Sequence, residues 1–207
     1  KNGTSNNTLI IATNKNDILH KVVTSGKYRP SKTKPSISPS MDIQTASNFE
    51  RLLYDLVNED DEKVRSLMNK LKNEGGYFLR DYLIITDKGF FSFTASDKQT
   101  KHWMKMQMQE NGYHIDPHTA TAHEGVVHFH NMVYNYSGDE TMDSTTLWHY
   151  FILATADPCK FSDTVKDATG VKPKIPKSIK NILNKKENYA KFDNNIDVVK
   201  NYILEKI

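Results

Sequence analysis

Residues 8–13, Thr-Leu-Ile-Ile-Ala-Thr, are a short apolar run that emerges from a polar lead and ends at the polar turn Asn14-Lys-Asn-Asp17. Such a run does not alternate toward water, so it suits a strand buried on both faces of a largely parallel sheet. The turn opens a helix from about Asp17, with Ile18, Leu19, Val22 and Val23 on its apolar side and Gly26 as its stop. Strand, polar turn, helix is the unit in which α/β proteins gather ligands at the carboxyl ends of strands. The expected fold class is therefore α/β.

The rest of the chain repeats this grammar. Residues 38–51 form a polar, turn-rich stretch leading into a helix, and Ser47-x-x-Glu50 has the form of a capping box. Phe49, Leu52, Leu53 and Leu56 give that helix one apolar face, and a second helix over 61–73 carries Val64, Leu67, Met68 and Leu71 before Gly75-Gly76. Residues 82–86 and 90–94 read as strands around Asp87-Lys-Gly89, with a short helix or loop as the alternative for the first. Ser96-x-x-Gln99 predicts a second capping box, opening a helix that Gly112 stops. A turn over 113–118 leads into a largely buried helix over 119–135, followed by a loop over 138–144. Residues 148–155, Trp-His-Tyr-Phe-Ile-Leu-Ala-Thr, predict a second buried strand, and Ser162 an N-cap for a helix ending at Gly170. Short helices after Pro176 and from about Asn195 close the chain.

Composition excludes several function classes. Lys+Arg 28 against Asp+Glu 25 is too mild and too dispersed a surplus for a nucleic-acid partner. No apolar run approaches the roughly 18 residues that span a membrane. The single cysteine, Cys159, excludes an intrachain disulfide and fits a reducing, cytoplasmic setting. His123, His128 and His130 lack the helical spacing of a metal site, and no cysteine pair supports them. His118, after Pro117, reads as a helix-end or packing residue. Lys160 beside Cys159 is expected to lower the thiol pKa, although no histidine is placed to serve it. Neither GxGxxG nor GxxxxGK[ST] occurs. Residues 1–7 have neither an initiator Met nor a signal-peptide core, so the chain reads as a piece of something longer. The turns at 14–17, 38–47 and 155–162 are the places where a small-molecule edge is expected to form, or else they only cap their helices.

Four turns in order carry a resemblance: Ala12-Thr-Asn-Lys-Asn-Asp-Ile-Leu19, Ser38-Pro-Ser-Met-Asp-Ile-Gln44 with Ser47-Asn-Phe-Glu-Arg51, Gly112-Tyr-His-Ile-Asp-Pro-His-Thr119, and Ala154-Thr-Ala-Asp-Pro-Cys-Lys-Phe161. Together they resemble the C-terminal portion of threonine synthase. The resemblance implies part of a fold type II, tryptophan synthase β-like domain, spanning 1–207 with 171–207 as a helical tail. It implies pyridoxal phosphate (PLP) as cofactor and conversion of O-phosphohomoserine and water to threonine and phosphate. It also implies that the hydroxyl of Thr155 bonds the cofactor's ring nitrogen, and that Asn14, Asn16, Asp17, Ser40, Asp42 and Lys160 lie on the substrate side. Two departures stand out. Asp157 replaces a family histidine, which opens the alternative of a related phospho-lyase. The family's Schiff-base lysine and its Gly/Asn-rich phosphate loop lie upstream of the first motif, so a missing N-terminal half is the implied partner and no catalytic lysine is expected here. A truncated, non-catalytic interaction module is the remaining alternative.

Overall fold

The computed structural model describes residues 8–80, 83–137, 149–182 and 184–207. The chain divides into a unit over Lys1–Pro173 and a second over Lys174–Ile207. In the first unit, strand β1 (Leu9–Thr13) is followed by helix α1 (Ile18–Ser25), which ends at Gly26 in the left-handed conformation. Strand β2 (Lys27–Tyr28) and a one-turn 3-10 helix (Pro39–Met41) lead to helices α2 (Phe49–Leu56) and α3 (Asp61–Glu74). Then come β3 (Tyr77–Phe78), α4 (Leu83–Asp87), β4 (Phe90–Thr94), α5 (Asp97–Asn111) and α6 (Pro117–Ser137). A 3-10 turn (Pro158–Phe161) and α7 (Ser162–Thr169) complete the unit.

The expected parallel sheet is present: β1 pairs with β4 from Leu9 against Phe90 to Thr13 against Thr94. Its burial differs from expectation. Leu9 is exposed, residues 10–12 are half-buried and only Thr13 is buried. The cause is the width of the sheet, because among the described residues β1 and β4 pair only with each other. Helix α6 approaches β1 closely at Gly125, where a Cβ would sit 3.0 Å from that of Ala12 and 3.4 Å from Ile10. β2 and β3 form a separate antiparallel pair.

Two apolar clusters hold the unit. Ile18 and Val22 of α1, Leu53 and Leu56 of α2 and Ile85 of α4 form the larger; Met104, Ile115, Ala120 and Val165 join α5, α6 and α7 in the smaller.

Local signals succeeded or failed for identifiable reasons. At Ser96 the backbone is extended, its hydroxyl accepts from the Gln99 amide, and the reciprocal bond completes the capping box. The box expected at Ser47 and Glu50 does not form. Asn48, not Ser47, precedes α2 and already has a helical backbone, so a turn closed by Phe49 N–H to the Ala46 carbonyl at 3.0 Å starts the helix without a side-chain cap. Residues 83–87 are helical, which puts Ile85 in the core and selects the short-helix alternative over the strand; residues 81–82 lie outside the described residues. Helix α6 starts at Pro117, two residues earlier than expected, because Asp116 caps it: its carboxylate accepts the His118 amide at 2.9 Å and its carbonyl the Ala120 amide at 3.0 Å. At α7 the expected cap Ser162 is instead the first helical residue, and Asp157 caps the preceding 3-10 turn through the Cys159 amide at 2.9 Å.

The largest correction concerns the second buried strand. Residues 149–155 make no ladder among the described residues, with Phe151 90% and Leu153 80% exposed while Tyr150 and Ile152 are half-buried. The alternation is that of a strand with one face covered, and the β-rich composition lacks a neighbour to pair with. Trp148 and the expected 138–144 loop lie outside the described residues.

The second unit contains α8 (Lys177–Lys180) and α9 (Ile196–Leu204), the latter capped by Asn195 through the Asp197 amide at 2.8 Å. Neither helix has a buried residue. Among the described residues no helix is long and apolar enough to cross a membrane.

Candidate functional site

Asn14 and Asn16 leave the end of β1 as buried side chains. The Asn14 amide nitrogen donates to Ser36 Oγ at 2.7 Å, Asp42 Oδ1 at 2.8 Å and Ser38 Oγ at 3.0 Å. Its carbonyl oxygen accepts the Asn16 backbone amide at 2.8 Å. Asn16 in turn donates to the Lys34 carbonyl at 2.8 Å and Asp42 at 3.0 Å, and accepts the Lys34 amide at 2.8 Å. Asp42 also accepts the Ser36 hydroxyl at 2.6 Å and the Ser36 amide at 2.8 Å. The first two predicted turns therefore converge, but these polar groups are spent on one another. The network fastens residues 34–44 to the end of β1.

Beyond this clamp, the Ser40 backbone amide donates to His118 Nε2 at 3.1 Å, and His118 Nδ1 lies 2.7 Å from Asp116 Oδ1. Burial pushes the Asp116 pKa up, but bonds from the His118 ring, the Thr119 hydroxyl and the His118 amide outweigh it, so the carboxyl lies below its usual range. The His118 ring packs on Phe161, centroids 4.7 Å apart, which brings in the third turn.

A cavity of about 910 Å³ opens here. Ile10 and Ala12 of β1 and Val126 and Phe129 of α6 give it apolar walls, while Ser40, His118 and Thr155 bring polar groups to it. Of the sequence-predicted site residues, Ser40 and Thr155 share this cavity. Asn14, Asn16 and Asp42 stand behind the Ser40 loop. Asp17 pairs with Lys21 at 2.8 Å on the surface, and neither it nor Lys160 lines the cavity. Lys160 is exposed beside Phe161.

Nearby titrating groups correct another expectation. The Cys159 thiol is pushed up, not down, chiefly by its hydrogen bond to Asp157, which outweighs Lys160. Asp157 is held low, first by its bonds from Cys159. His123, His128 and His130 go to three different partners: His123 stacks on Trp103, His128 on Phe93, and His130 bonds the Tyr150 hydroxyl at 3.0 Å. The sequence reading missed the Asp116–His118 pair as part of the site. Its one signal was Asp-Pro-His-Thr, which has the form of an N-cap followed by proline at the first helical position.

Residues 137–203 match the family model "Threonine synthase, C-terminal". The threonine synthase of Methylobacillus glycogenes is 33% identical over 96% of this chain and 40% of the relative. The chain matches the C-terminal part of threonine synthases. The Saccharomyces cerevisiae threonine synthase is 32% identical over 96% of the chain and 41% of that protein. Among solved structures, the PLP-bound threonine synthase from Brucella melitensis superposes with a TM-score of 0.75 at 34% identity, covering 96% of this chain and 40% of that one. The yeast threonine synthase gives 0.75 at 30%, covering 97% and 42%. The fold is thus the α/β, fold type II architecture of these PLP-dependent enzymes, and the chain spans about 40% of the length of the curated threonine synthases it matches.

Proposed function

We propose that this chain is the C-terminal portion, 1–207 with a helical tail over 171–207, of a cytoplasmic PLP-dependent threonine synthase that converts O-phospho-L-homoserine and water to L-threonine and phosphate. The observation that carries the reading is that Ser40, His118 and Thr155 line one cavity whose apolar walls include β1 and α6. These groups fit part of the cofactor: an apolar wall suits a flat ring, and a hydroxyl suits its nitrogen. When bound, the cofactor supplies the electron sink for the reaction. Thr155 hydrogen-bonds the ring nitrogen and, being neutral, does not hold a proton there as a carboxylate would. Val126 and Phe129 keep water from the ring face. Ser40 walls the substrate side and Asn14, Asn16 and Asp42 hold that wall, whereas Asp17 and Lys160 are assigned to the substrate side by the resemblance alone.

Among the described residues no lysine lines the cavity and no Gly-rich loop cradles a phosphate there. The resemblance assigns the Schiff-base lysine and the phosphate cradle to the remainder of the protein, which in this reading also covers the open strand edges and the exposed 150–155 strip. The chain by itself is inactive. Asp157 gives no independent support for another phosphorylated substrate, because its carboxylate caps the turn at Cys159.

The lysine assignment is tested by incubating the chain alone with PLP, reducing with borohydride and mapping adducts by mass spectrometry. Scattered substoichiometric labelling of surface lysines is expected. One lysine labelled stoichiometrically, and protected by substrate, overturns the assignment.

A further inference from the structure

We propose that His118 is a positioning residue whose ring fixes the Ser40 wall of the cleft through a single acceptor nitrogen. The local need is clear in the backbone. Pro39–Met41 is one turn of 3-10 helix, closed by Met41 N–H to the Ser38 carbonyl at 2.9 Å and Asp42 N–H to the Pro39 carbonyl at 3.1 Å. The first amides of a helix have no partner inside it. Ser40 carries one of these, and His118 Nε2 is its acceptor at 3.1 Å.

A backbone N–H can only donate, so Nε2 of this ring carries no proton, and Nδ1–H donates to Asp116. Asp116 is 1% exposed, and its carboxylate also accepts the His118 amide at 2.9 Å and the Thr119 hydroxyl. The start of α6 therefore sets the carboxylate, the carboxylate sets the tautomer, and the tautomer leaves Nε2 free to accept. The same ring carries Phe161 at 4.7 Å. One side chain at the head of α6 thus ties the 38–42 wall to the 157–161 turn, two segments distant in sequence. The clamp at Asn14 holds the same loop from its other side through Ser36, Ser38 and Asp42.

The test separates the acceptor from the ring. In His118→Gln, Oε1 reaches the place of Nε2 and accepts from Ser40 while the Asp116 bond is lost; in His118→Asn the reverse holds. Hydrogen exchange on the 207-residue chain should show the Ser40 amide about tenfold less protected in His118→Asn and near the parent in His118→Gln. Nitrogen-15 spectra of the parent should show the Nδ1–H tautomer. An Nε2–H tautomer overturns the proposal, and so does equal Ser40 exchange in the parent and both variants, or an equal rise in both. None of these readings needs turnover, so an inactive preparation tests the proposed function and leaves this one standing. The consequence for substrate rests on that function: in active full-length enzyme, His118→Asn should raise KM for O-phosphohomoserine about tenfold with kcat changed less than about threefold, and His118→Gln should recover most of it. A loss confined to kcat contradicts a role in the substrate wall.

Discussion

The Asn14–Asp42 clamp and the 150–155 strip have exchanged the places that composition alone would assign them. Asn14, Asn16 and Ser38 are buried at 1–2% exposure, while Phe151 and Leu153 stand in solvent at 90% and 80%. The difference is one of completeness. The polar groups find all their partners within 44 residues of the chain's start, so burial costs little once every donor has an acceptor. The apolar strip needs a neighbouring strand, and the described residues supply none. Local satisfaction makes the clamp self-sufficient.

Breaking the clamp should have the largest effect. Asp42→Ala removes the acceptor shared by Asn14, Asn16 and Ser36, and is expected to destabilise the chain by about 2–4 kcal/mol in urea unfolding. A loss under about 0.5 kcal/mol would show that the network is not closed. Asp116→Asn is expected to cost about 1.5–3 kcal/mol, since an amide cannot accept from His118 and Thr119 as a carboxylate does. The sign of its pH dependence follows from a folded pKa below the ordinary 3.8: the stabilisation is full above that value and is lost as pH falls through the lower folded pKa. The acid limb of the stability curve should therefore flatten in the variant; an unchanged limb contradicts the assignment.

Gly125→Ala pushes a methyl against Ala12 and is expected to cost about 1–2 kcal/mol by separating α6 from β1, measured by thermal unfolding. The smallest effect belongs to the strip. Phe151→Ser should change the stability of the chain by less than about 0.5 kcal/mol, yet raise its solubility. A larger loss of stability would mean that the Phe151 ring itself packs on something within the chain.

Much of this architecture was legible. The strand–turn–helix at 9–25 follows from an apolar run, a polar turn and Gly26, and the Ser96 box follows from two side chains at the right spacing. What misled was chemistry that depends on backbone geometry or on absent neighbours. Ser47 and Glu50 have the right spacing, but the helical backbone of Asn48 moves the helix start past them. Residues 150–155 have strand composition, but pairing is a property of two strands. Family likeness singled out Thr155 and Ser40, which line one cavity. The buried role of Asn14, Asn16 and Asp42 and the linkage through His118 could not be read from spacing, since bonds such as Asn14 to Ser38 and Ser40 to His118, 24 and 78 positions apart, leave no local pattern.

The most direct measurement is the release of threonine and phosphate from O-phosphohomoserine by the full-length protein with PLP, comparing the parent with Thr155→Ala. The account predicts threonine and phosphate in equal amounts, at least about tenfold slower in the variant, which is the loss of one hydrogen bond worth about 1.4 kcal/mol in the transition state. Phosphate release without threonine, or a variant as fast as the parent, would contradict it.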